Sequence, residues 1–142
     1  MERHEFLSKL GIGLVAACTG CSLVACGSKH NDPTPTTNKS GDLFTVDISN
    51  NLTNIGDSTT QQGVILVRLA TGNTADAFTA VQVTCTHQGA GIAYDVAQGI
   101  FICPRHGSEF STAGAVVKGP ASTPLQEYKV TISGSTLTVS ST

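Results

Sequence analysis

The chain has 142 residues, of which 39% are apolar and 13% charged, and its formal net charge is −2. That length suits one domain beside a targeting segment. From Gly41 onward seven acids stand against four bases, which leaves no basic patch for nucleic acid and no charge block that reads as an interaction tail.

Residues 1–26 read as an export signal. Arg3 and Lys9 give a positive start, and Leu10 to Ala25 is apolar and small. The segment closes on Leu23-Val24-Ala25-Cys26, which resembles the lipobox of bacterial lipoproteins. That resemblance implies cleavage before Cys26 and lipidation of its thiol. Val15-Ala16-Ala17-Cys18 is a weaker match, because cleavage there leaves a very short apolar run. The alternative is an uncleaved anchor, although roughly 17 apolar residues lie at the low end for spanning a bilayer. Arg3-His4-Glu5-Phe6-Leu7-Ser8-Lys9 is similar to the twin-arginine export motif, except that His4 stands where the second arginine belongs. The twin-arginine and general secretory routes both stay open.

Residues 27–41 hold no apolar side chain that could be buried, and Pro33 and Pro35 stiffen them. They read as a tether, with His30 a solvated tether residue. From Asp42 the pattern becomes short runs of period two, so residues 42–142 read as one folded domain. Phe44, Val46 and Ile48 alternate with polar residues, and Gly63 to Leu69 is nearly continuous and apolar, as in a buried strand. Phe78 to Thr84, Ile92 to Tyr94, Gly99 to Ile102, Ala115 to Val117, Tyr128 to Ser133 and Thr136 to Val139 are further strands. Ser133-Gly134-Ser135 joins the last two as a hairpin. No stretch has helical period with caps. The fold class is all-β, an antiparallel β-sandwich of short strands.

All the cysteines and histidines after residue 30 fall into two clusters. Cys85-Thr86-His87 is followed by fifteen residues and then Cys103-Pro104-Arg105-His106. Each cluster offers one sulfur and one nitrogen, which suits two loops meeting at a metal centre. Two centres fit those ligand types. One is a structural zinc shell of two Cys and two His. The other is a [2Fe–2S] cluster with mixed ligation. Zinc shells usually pair like ligands in sequence, whereas here each loop carries one of each.

The flanking residues resemble the Rieske [2Fe–2S] family. Cys85-Thr86-His87, Cys103-Pro104-Arg105-His106-Gly107-Ser108-Glu109-Phe110 and Gly119-Pro120-Ala121-Ser122-Thr123-Pro124-Leu125 stand in that family's order. The resemblance implies an antiparallel β fold with a cluster-binding subdomain at about 84–125. It implies Cys85 and Cys103 on one iron and His87 and His106 on the other. Two neutral imidazoles in place of two thiolates remove negative charge, so an added electron is easier to accept. Such clusters lie at about −150 to +300 mV, against about −400 mV for plant-type clusters.

Neighbouring residues tune that range. Ser108 falls where high-potential relatives direct a serine hydroxyl to a bridging sulfide. Phe110 falls where they carry a tyrosine that donates to a cysteine sulfur, and phenylalanine cannot donate. Gly119-Pro120-Ala121 and Pro124 resemble the family's proline loop, a stiff apolar cover for the cluster. Gly107 lets the backbone pass close to it. Members from respiratory cytochrome complexes join the two loops by a disulfide; the corresponding positions here are Ala90 and Arg105. Arg105 then places a fixed positive charge beside the cluster, which favours the reduced state or steers an acidic partner.

These readings converge on an exported, lipid-anchored protein that transfers single electrons through a Rieske [2Fe–2S] cluster on the periplasmic or cell-surface side. Its partners are redox proteins or a quinol-linked complex, with no nucleic acid. No nucleophile constellation is present, so it has no catalytic site of its own. The alternatives are a Rieske small subunit of a larger oxidoreductase or cytochrome complex, and a zinc-stabilised surface binding domain.

Overall fold

The computed structural model describes residues 41–142. The expected export signal, Cys26 and nearly all of the expected tether lie outside the described residues. Ten strands occur among these residues: β1 Asp42–Asp47, β2 Ser58–Gln61, β3 Val64–Arg68, β4 Phe78–Gln82, β5 Ala93–Asp95, β6 Ile100–Ile102, β7 Glu109–Phe110, β8 Val116–Lys118, β9 Lys129–Ser133 and β10 Thr136–Ser140. One 3-10 turn, Ala75–Ala77, precedes β4. No helix of the described residues is long and apolar enough to cross a membrane.

The strands form three antiparallel sheets, ordered β1-β10-β9, β2-β3-β4 and β5-β6-β7-β8. The middle sheet is shared by two cores, and β3 shows why. A strand sends successive side chains to opposite faces. Val64 and Leu66 enter a core with Phe44, Val46, Leu137 and Val139. Ile65 and Val67 enter a second core with Phe101, Phe110, Cys85 and Cys103. Every residue of β3 is buried, which is why Val64 to Val67 form a continuous apolar run rather than an alternating one. β1 and β10 cover only one core, and they alternate as period two requires.

Arg68 ends β3 as a buried charge, 5% exposed. Backbone oxygens satisfy it in place of a carboxylate. Its Nε donates to Leu52 O, and Nη1 donates to Gly72 O at 2.6 Å. Its Nη2 donates to Asn73 Oδ1 at 2.8 Å, and the guanidinium lies 4.5 Å from the Phe78 ring centroid. One side chain thus ties two loops to the middle sheet.

β4 stops at Gln82, short of the sequence expectation of Thr84. Gln82 leaves the ladder by pairing with Gln126, donating its N–H to Gln126 O and accepting from Gln126 N–H at its side-chain oxygen. The chain then bends at Val83, and Thr84 bridges to Gly91. This departure carries the chain out of the middle sheet into the Cys85 loop.

Candidate metal centre

Two loops of the same construction carry the two Cys-His clusters. In the first, Cys85 N–H donates to Ala90 O at 2.7 Å and Gly89 N–H donates to Cys85 O at 2.9 Å. In the second, Cys103 N–H donates to Ser108 O at 2.8 Å and Gly107 N–H donates to Cys103 O at 2.9 Å. Gly89 and Gly107 have φ of 73° and 75°, a left-handed conformation that glycine adopts without steric penalty. Each loop is thus a tight turn that begins on a cysteine and closes on a glycine four residues later. The sequence reading noted Gly107 and missed Gly89, although the repeated Cys-x₃-Gly spacing was there to read.

The loops bury their sulfurs and expose their imidazoles. Cys85 and Cys103 are each 2% exposed, unpaired as disulfides and packed in the second core. His87 and His106 are exposed, and their rings stand edge to face with centroids 5.0 Å apart and planes at 80°. The structure therefore brings all four sequence-predicted residues to one place. Burial pushes the Cys103 thiol up, but hydrogen bonds to its sulfur from the Arg105 amide, the Cys85 thiol and the His106 amide outweigh that. With the Arg105 charge, they hold it below the ordinary thiol range. These groups favour the thiolate, the form that binds metal.

A third segment closes on both loops. Ser108 is fully buried, and its hydroxyl accepts a 3.0 Å hydrogen bond from Ala121 N–H. Thr86 Oγ1 donates to Thr123 O at 2.6 Å. Residues 119–125 are thereby fastened to the Cys85 loop through Thr86 and to the Cys103 loop through Ser108. Ala121 and Leu125 point into the second core, while Pro120 and Pro124 remain exposed. Phe110 is fully buried and directly opposite Phe101 in the β6–β7 ladder. Ala90 is half-buried against the same core, and Arg105 is exposed at its turn.

Two buried cysteines and two exposed histidines fit a [2Fe–2S] cluster whose irons take unlike ligands. Among the described residues no three His, Cys, Asp or Glu side chains converge as on one ion.

An antiparallel β fold with such a donor set defines a small metal-binding β domain. The family model described as the Rieske [2Fe-2S] domain matches residues 43–129. The chain belongs to the Rieske [2Fe–2S] family, and single-electron transfer through that cluster is its function. It is 31% identical over 143 residues to the cytochrome b6-f complex iron-sulfur subunit of Chlorobaculum thiosulfatiphilum, covering 98% of this chain and 75% of that one. Its structure is similar to that of the cyanobacterial plasma membrane Rieske protein PetC3 from Synechocystis PCC 6803. That match has a TM-score of 0.51 and 36% identity, and it covers 60% of this chain and 85% of that one. The ferredoxin of carbazole 1,9a-dioxygenase from Nocardioides aromaticivorans shares the fold at 20% identity, with a TM-score of 0.57 and coverage of 72% and 100%. The family match decides between the zinc shell and the iron–sulfur cluster in favour of the latter.

Proposed function

We propose that Cys85 and Cys103 hold the inner iron of the cluster, and His87 and His106 the outer iron, in a membrane-anchored electron carrier. The observation that supports this most directly is the pairing of two identically built loops. They bury both sulfurs and leave the two imidazoles 5.0 Å apart at the surface. When bound, the cluster supplies a one-electron couple. The protein's part is to exclude water from the sulfurs and to present the imidazole edges as the route by which an electron enters and leaves.

Ser108 and Phe110 set the potential in this reading. The Ser108 oxygen already accepts from Ala121 N–H, so its proton is free to be donated toward a cluster sulfide. Phe110 offers no donor. The potential lies below that of quinol-oxidising relatives and above that of members without the serine. The subtype lacks the loop disulfide, because Ala90 and Arg105 occupy its two positions.

Domain limits follow the same reading: a signal over 1–26, a tether over 27–41, and a Rieske domain over 42–142 with its cluster subdomain at about 84–125. Lipidation at Cys26 would hold the domain at a membrane, exported to the periplasmic or cell-surface side. Its exchange partners are then redox proteins or a quinol-linked complex. Mass spectrometry of the mature chain tests the anchor: cleavage before Cys26 with acyl chains on its N-terminal cysteine supports it, and an intact residue 1–26 segment contradicts it. His87→Ala and His106→Ala test the ligands. Each should abolish the Rieske-type paramagnetic signal while the β fold persists, and a retained signal would sink the assignment.

A further inference from the structure

Six strands surround the first core in the order β1-β10-β9-β4-β3-β2. Ladders join β1 to β10, β10 to β9, β4 to β3 and β3 to β2. The chain entering β9 supplies the join to β4. Tyr128 N–H donates to Ala80 O at 2.8 Å, Gln82 N–H donates to Gln126 O at 2.9 Å, and Val81 bridges to Glu127. Between β1 and β2 the ring is open: among the described residues no backbone hydrogen bond links them.

Register shows what the two open edges present. Ile48 N–H donates to Ser135 O, so Val46 and Ile48 turn their backbone groups to β10, and those of Thr45 and Asp47 point away from it. Arg68 N–H donates to Asp57 O, so the backbone groups of Ser58 and Thr60 point away from β3. A cleft of about 530 Å³ lies here, its walls including Thr45, Asp47, Asp57, Ser58, Thr59 and Gln61. Its ends are tied, Gln62 Nε2 donating to Leu43 O at one and Asn51 Nδ2 to Asp47 O at the other, at 2.8 Å. Leu52, also in its wall, has a φ of 53°, a conformation rare for a bulky side chain. The buried Arg68 holds it there by donating from Nε to the Leu52 carbonyl. Thr59 stands opposite Leu66 and Gln61 opposite Val64, so β2 turns polar side chains to the face on which β3 turns core residues. Asp47 and Asp57 have no ion pair among the described residues, and no Lys or Arg lines the cleft.

We propose that this seam is the docking site for an extended, basic polypeptide segment of a partner protein. The segment adds as a strand to the open edge of β2, sets a Lys or Arg beside Asp47 and Asp57, and turns small hydroxyl side chains toward Thr59 and Gln61. Three features select that occupant. A polypeptide backbone offers donors and acceptors in step with those of an edge strand. From Leu43 to Asp47 the seam runs about 13 Å, which takes about four extended residues. Two carboxylates with no base beside them call for a cation, in a domain that carries seven acids to four bases. No residue of 84–125 lines the cleft, so the inference stands apart from what the two cysteine loops hold.

The test uses the full chain with its cluster loaded and a fluorescent peptide, Lys-Thr-Val-Thr-Val, blocked at both ends and read by anisotropy at low salt. Binding should saturate, and exchanging the peptide's lysine for glutamate should abolish it. N-methylating one of its two alternate sets of amides should abolish it as well, by removing the donors that face β2. Thr60→Pro removes an outward donor and leaves the ladder to β3 intact, since proline is tolerated where the missing N–H faces away; binding should weaken about tenfold. Asp47→Asn and Asp57→Asn should each weaken it about threefold. Asp95→Asn, the same change of charge in the β5–β6 turn, should leave it unaltered. Circular dichroism checks the fold of each variant, and if Thr60→Pro unfolds, the methylated peptides on the parent protein decide the point. No saturable binding up to about 1 mM, binding indifferent to methylation of either set, or an Asp95→Asn protein as impaired as Asp47→Asn would overturn the proposal.

Discussion

Ala121 N–H donates a 3.0 Å hydrogen bond to the hydroxyl of Ser108, at a site from which solvent is fully excluded. This contact fixes the serine oxygen as an acceptor and so orients its proton away from Ala121. Ser108→Ala removes both the donor toward the cluster and the acceptor for a buried amide. The potential should fall, as seen by voltammetry, and unfolding should become easier by about 1–3 kcal/mol because the amide is left unsatisfied. Ser108→Thr, which keeps the hydroxyl, should restore most of the potential. A rise in potential in the alanine variant would contradict the account.

Phe110 stands opposite Phe101 with no exposed surface. Phe110→Tyr adds a donor where relatives use one, so the potential should rise. Phe110→Ala should instead destabilise the domain by about 3–5 kcal/mol through the cavity it leaves. Voltammetry and denaturant unfolding read the two effects separately.

The Asp95 carboxyl is held below the ordinary carboxylate range, chiefly by the Gln98 side chain and then by the Gln98 amide. A group whose pKa is lower in the folded state stabilises above its unfolded value and loses that contribution as pH falls through the folded value. The β5–β6 turn should therefore loosen below about pH 3.8, the unshifted value. Asp95→Ala should flatten the acid limb of the stability curve and leave neutral-pH redox behaviour unchanged. Thermal melts across the acid range check this.

With Cys85 and Cys103 free of any disulfide, the proposed ligand set makes the cluster, together with the 119–125 segment, the link between the two loops. Removing the iron should therefore raise amide exchange at 86–89 and 104–107 far more than in β3 or β4, because metal binding and local folding are one equilibrium. Exchange measured by mass spectrometry in loaded and stripped protein gives the comparison. Equal protection in both would contradict the claim that the cluster orders the loops.

Much of this architecture was legible in the sequence, for reasons particular residues make plain. β3 could be read because both its faces are covered and its first four residues, Val64 to Val67, are apolar. β1 and β10 could be read because one covered face imposes alternation. β2 could not: Ser58-Thr59-Thr60-Gln61 has no apolar pattern, and it is a strand only because β3 offers it a partner. β7 is two residues long and hidden inside the Cys103 motif. The Cys and His clusters were conspicuous because nothing else in residues 41–142 competes with them. The contacts that fasten the site were not visible, since Thr86 and Thr123 lie 37 residues apart, with the four strands β5 to β8 between them.

The most direct test of the account is the metal content and spin signature of the full chain produced with cluster-assembly machinery. Iron and acid-labile sulfide should each be present at about two per chain, with a Rieske-type paramagnetic signal after dithionite reduction. That signal should disappear in Cys85→Ser, His87→Ala, Cys103→Ser and His106→Ala. Protein that binds zinc, contains no sulfide and stays colourless would contradict the central claim.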